Sequence, residues 1–97
     1  MRRIVFAPSF GREADDIAVY IDEQFGEKAS DEFIASLTAV CALIASFPGV
    51  GKTDHDYATD LAGFPFKHNW VFYEADHQKV RFIHIVPSRR NRTSIRF

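Results

Sequence analysis

Apolar positions along this chain follow three successive patterns. Arg3-Ile4-Val5-Phe6 is a short β-branched and aromatic run halted at Ala7-Pro8. It predicts a first strand, because proline drives the residue before it away from helical backbone. From Phe10 the spacing changes to threes and fours. Phe10, Ala14, Ile17, Ile21 and Phe25 line one helical face, with Ser9 placed as the cap and Gly26 as the stop. A second stripe, Ala29, Phe33, Leu37, Val40, Ile44 and Phe47, predicts another helix ending at Phe47-Pro48. Two helices joined at a glycine turn make an antiparallel hairpin.

The third pattern is β-type. Phe64 and Phe66, then Trp70 to Tyr73, then Val80 to Val86 are runs separated by His68-Asn69 and by Ala75-Asp76-His77-Gln78. They predict three consecutive antiparallel strands, apolar on both faces, as expected when one face packs on the helices and the other meets something else. Pro48, Gly49, Gly51 and the polar run Lys52 to Asp60 form a loop of about a dozen residues, long enough to suggest function or mobility and the least ordered stretch on paper. The order predicts one α+β domain over residues 1–97: an N-terminal strand and an α-helical hairpin packed on a mainly antiparallel sheet of three to four strands.

Composition narrows what such a domain does. At 97 residues and 46% apolar the chain can close one core, but a chain this small has little room for a deep, enclosed active site, so a site on the surface is expected. The longest apolar run, Ala39 to Ala45, is too short to span a membrane. Arg2 and Arg3 precede only four apolar residues, too few for a secretory signal, so a soluble cytoplasmic protein with no membrane partner is expected. Cys41 is the single cysteine, which removes a disulfide framework and multi-cysteine zinc modules; it reads as a small buried residue. His55 between Asp54 and Asp56 lacks a convergent second pair of ligands and reads as solvated loop. No nucleophile triad, glycine-rich phosphate loop or Walker-type motif occurs, and no metal or cofactor is expected.

The formal net charge of −1 conceals a division. Residues 1–60 carry 5 Lys+Arg against 11 Asp+Glu, the rest 7 against 2. The acids of the helical half fall mostly off the apolar stripes and read as a solvated face. Arg81, Arg89, Arg90, Arg92 and Arg96 fill the last seventeen residues without an acid among them. Guanidinium groups suit bidentate contact with phosphate or carboxylate, so this patch fits either nucleic acid or an acidic protein. Ile95 and Phe97 are placed to pin it back on the domain.

In combination these features resemble the RelE/ParE superfamily of type II toxin–antitoxin toxins, the plasmid stabilisation toxins, and its ParE branch most. The resemblance runs over nearly the whole chain: the strand into Pro8, Tyr20-Ile21 and Phe25-Gly26, Ala29 with Phe33 and Leu37, Phe47-Pro48-x-x-Gly51, Phe72-Tyr73, and Val80 to Val86 leading into Arg90-Asn91. It implies a toxin that acts by binding without turnover, with DNA gyrase as target and a cognate antitoxin as neutralising partner. The antitoxin would lay an amphipathic helix in a groove between hairpin and sheet, or add a strand to a sheet edge. Arg89, Arg90, Arg92 and Arg96, with Trp70 and Phe72 as groove floor beside Tyr73, are the expected toxicity or antitoxin-binding surface. The chain departs from the family pattern at Ala62, His84 and Pro87.

The alternative is a ribosome-dependent messenger RNA endoribonuclease like those of the RelE branch. Metal-free cleavage needs a base, a cation for the pentavalent phosphate and an acid for the leaving oxygen. Arg90 or Arg89 would supply the cation, assisted by Lys52 or Lys67; His84, His68 or His77 would carry protons, since Phe97 stands where that branch has a tyrosine.

Overall fold

The fold, a computed structural model, describes residues 1–55, 57 and 59–88. Strand β1 (Arg3–Phe6) leads into α1 (Pro8–Phe25), α2 (Glu27–Ser46) and a 3-10 turn at Pro48–Val50. The chain then makes β2 (Ala62–Phe66), β3 (Asn69–Ala75) and β4 (Lys79–Pro87). The sheet has the order β1-β4-β3-β2. β2, β3 and β4 form an antiparallel meander, whereas β1 lies parallel to β4, Arg3 opposite Lys79 and Phe6 opposite Phe82. A parallel neighbour demands a long crossover, which the helical hairpin supplies.

Local chemistry sets the element ends, with one change from expectation. Pro8 occupies the first turn of α1 behind Ala7 in extended backbone, where a proline's missing N–H would be unpaired in any case. Ser9 is therefore inside the helix and does not cap it. Its hydroxyl donates instead to the Ile83 carbonyl at 2.6 Å, tying α1 to β4. Gly26, at φ 97°, donates to Asp22 O and turns the chain into α2 within a single residue, a conformation that favours glycine. Ser30 Oγ then donates to Ala18 O, closing the hairpin.

The core lies between this hairpin and one face of the sheet. Phe10 and Ala14 from α1, and Phe33, Leu37, Cys41, Ile44 and Ala45 from α2, meet Phe66, Val71, Tyr73, Val80, Phe82 and Ile85. Phe25 and Phe47 belong to the predicted stripes but are 71% and 62% exposed, because each ends its helix beyond the packed core. By length and mean hydropathy (1.4) α2 would also pass as a membrane span; its buried stripe is the one that packs in this core.

The opposite face of the sheet carries a second, smaller cluster. Trp70 and Phe72 stack at 6.1 Å between ring centroids, and His55 and Tyr57 from the long loop close over them. Lys52 and Gly63 exchange two backbone hydrogen bonds of 2.7 Å, and His55 Nε2–H donates to Leu61 O, so the loop is fastened at both ends. Gly63 is required here: a methyl group would meet Phe72, His55 and Trp70.

Candidate functional site

An apolar concavity runs between α1 and the end of the sheet where β3 begins and β4 finishes. It measures about 820 Å³ and is walled by Ile17, Tyr20, Ile21 and Phe25 on one side and Ile85, Val86 and Pro87 on the other, with Phe33 beneath. These side chains line a groove because α1 turns its half-buried stripe toward β4 while the hairpin tip, carrying Phe25, projects past the core.

Four charged or titratable side chains line the groove. Glu13 and Asp16 stand on the α1 wall, and Lys67 and His68, the two residues of the β2–β3 turn, at the sheet end. Glu13 is held in place: Oε1 accepts the Ile85 N–H at 3.2 Å, and His84 Nδ1–H donates to the same carboxylate at 3.0 Å. In the floor sits Asn69, 8% exposed, the one buried polar residue among those described. No hydrogen bond to its carboxamide occurs among the described residues.

The end of β4 that runs past β1, and the β2 edge, are blunted against strand addition. Beyond Phe82, the side of β4 away from β3 has no strand on it among the described residues, but Ser9 takes the Ile83 carbonyl, Glu13 takes the Ile85 N–H, and Pro87 has no N–H to give. On the far edge Gly63 is paired with Lys52 and Pro65 again lacks a donor. Such blunting is how exposed edges avoid unwanted pairing.

Two sequence expectations change. Trp70 and Phe72 do not floor the groove, because strand alternation turns them to the opposite face, where Phe72 is fully enclosed under His55 and Tyr57. Tyr73 faces the helices but is buried in the core, its hydroxyl donating to Pro48 O and accepting the Gly51 N–H. The groove floor is Asn69, which sequence reasoning placed in a turn. Its signal was a lone amide inside an otherwise apolar strand.

Of the described groups named for RNA cleavage, Lys67 and His68 stand together in the β2–β3 turn, and Lys52, His77 and His84 lie apart from one another. Lys52 lies outside β2 at one edge of the sheet, and His84 lies on β4 facing Glu13 on α1. His77 is in the β3–β4 turn, at the opposite end of β3 from His68. Arg89, Arg90, Arg92 and Arg96 lie outside the described residues, as does Asp56. Among the described residues no three His, Cys, Asp or Glu side chains gather to hold a metal ion.

Fold and site together define a small α+β protein, strand first and helical hairpin next, with an apolar recess in the form of an open surface groove. The family model for the ParE toxin of type II toxin–antitoxin system, parDE, matches residues 4–92, and the chain belongs to that family. Among solved structures it resembles one described as the chromosomal ParDE TA system from P. aeruginosa, with a TM-score of 0.77 over 92% of this chain and 98% of that one. The two sequences are 6% identical, so this likeness is one of fold. No curated protein matches the sequence.

Proposed function

We propose that this member of the ParE toxin family acts in the cytoplasm as a single domain, by binding and without turnover. Its target is DNA gyrase, and a cognate antitoxin neutralises it. The observation that carries the reading is the groove along α1: an apolar recess lined also by Glu13, Asp16, Lys67 and His68 suits a docked amphipathic segment. The solved ParDE system supports an antitoxin as the protein that supplies this segment. The arginines at 89, 90, 92 and 96 form the toxicity surface, since a run of guanidinium groups is matched to a carboxylate- or phosphate-rich target. Lys52 and His84, two of the described members of the nuclease set, lie on different segments and face different neighbours, which favours binding over RNA cleavage.

Two purified assays test the target. The protein is expected to inhibit gyrase supercoiling and to leave messenger RNA intact in a translation extract. Codon-linked cleavage without gyrase inhibition would replace this reading with the endoribonuclease. Co-expression of the protein encoded by the adjacent reading frame is expected to restore growth.

A further inference from the structure

We propose that the sheet face turned away from the helices carries a phosphate-binding surface, built by Arg3 on β1 with Lys79 and Arg81 on β4, that lays the protein on a nucleic-acid strand. The inference rests on the gyrase reading only for the source of that strand, which would be DNA.

Register brings the three cations together. Arg3 lies opposite Lys79 in the parallel ladder and Val5 opposite Arg81, and residues paired across a ladder point to the same face. Val80 and Phe82 are buried in the core and Ile4 packs against it, so alternation turns Arg3, Val5, Lys79 and Arg81 to the other face. Neighbouring strands stand about 4.8 Å apart and alternate residues about 6.6 Å along a strand, so the cations share one corner of the sheet. Arg3 and Arg81 are exposed and Lys79 is half-buried.

Two acids border the group. Glu74 on β3 stands 3.9 Å from Arg81 with both side chains about half exposed, and a pair so open to water holds its partner weakly. Asp76 faces Lys79, but its Oδ1 is engaged by the Gln78 and Lys79 N–H groups of the turn.

Across the fold, charge is sorted by layer. The two helices carry eight Asp+Glu against two Lys+Arg, and the four described strands carry Arg3, Lys79 and Arg81 against Glu74 alone. A polyanion is repelled by the helical layer and meets the sheet. An acidic protein is the poorer match, because a protein interface needs an apolar centre and only Val5, half-buried, stands among these cations. Phosphate contacts need no such centre.

The test is fluorescence anisotropy of the full chain with labelled duplex DNA, single-stranded DNA and RNA, read between about 50 and about 200 mM salt. Binding is expected at the lower salt and to weaken steeply toward the higher. Arg3→Gln/Arg81→Gln is expected to bind about tenfold more weakly, with the slope of log affinity against log salt reduced by about two. Arg12→Gln/Lys28→Gln removes the same charge from the helical layer and is expected to bind as the wild type does. Equal weakening by both pairs makes the effect one of net charge and overturns the site, as does wild-type affinity in Arg3→Gln/Arg81→Gln. If that variant melts lower than the wild type, Lys79→Gln stands in, with a slope reduced by about one. Preference for DNA assigns the strand to the gyrase complex; preference for RNA keeps the surface and detaches it from gyrase. A wild-type chain that binds none of the three strands overturns the inference, and the gyrase reading is then judged by its own supercoiling assay.

Discussion

Single side chains join the long loop to the sheet. Tyr73, almost wholly buried, places its hydroxyl between the Pro48 carbonyl and the Gly51 N–H, and burial pushes its pKa up while the Gly51 bond pulls the other way. Tyr73→Phe leaves both backbone groups without that partner, and a loss of about 1–3 kcal/mol is expected in urea unfolding. Gly51→Ala is expected to destabilise as well, because its methyl group would overlap the tyrosine ring. Cys41 offers a chemical readout of the same core. Burial pushes its thiol up to about 12, so the reactive thiolate is scarce at ordinary pH. Alkylation followed by mass spectrometry at pH 8 is expected to be negligible in buffer and complete in denaturant.

Helices were the most legible elements, because stripes of five and six apolar residues at helical spacing leave no competing period. Their ends were less so. Ser9 had the composition of a cap, but Pro8 already satisfied the first turn, and the hydroxyl was taken by a β4 carbonyl that lies 74 positions away. The strands were legible as segments, but their faces were not. Trp70 and Phe72 read as equivalent to Tyr73 until the meander set Val71 and Tyr73 against the hairpin. A bulge opposite Phe72 and Tyr73 then inserts Ile83 into β4. The parallel place of β1 was hidden too, since four residues carry no record of a partner so distant in sequence. At the β3–β4 turn, by contrast, Asp76 behaves as a turn aspartate should: its Oδ1 accepts the Gln78 and Lys79 N–H groups. Those bonds hold its carboxyl below the usual aspartate range. A lowered acid favours the folded turn only while ionised, so the contribution is full above the unfolded value and is lost as pH falls through the folded one. Amide exchange at Gln78 and Lys79 is expected to quicken once the pH drops below the ordinary value of 3.8, and Asp76→Ala should quicken it already at pH 6.

At the scale of the molecule, the packed core and the basic terminus are separate in sequence. Every buried apolar side chain among the described residues lies between Ala7 and Ile85. A chain ending at Pro87 is therefore expected to keep its circular dichroism spectrum and to melt within a few degrees of the full chain. It should also lose growth arrest. A folded truncate that still arrests growth would move the toxicity surface away from the arginines.

The pairing of β1 with β4 carries a consequence for synthesis. Among the four described strands β1 is made first and finds its ladder in β4, made fourth, so Arg3 waits for Lys79 before that ladder can form. While the chain is still on the ribosome, the helical hairpin can form, but its apolar stripe has no sheet to cover it, because the central strand is still missing. Nascent fragments thus present the same apolar stripes that the finished protein hides, without the groove that a neutralising segment would fit. Maturation of this fold is all or none with respect to chain length, and a ribosome that stalls before β4 yields a substrate for proteases in place of a toxin.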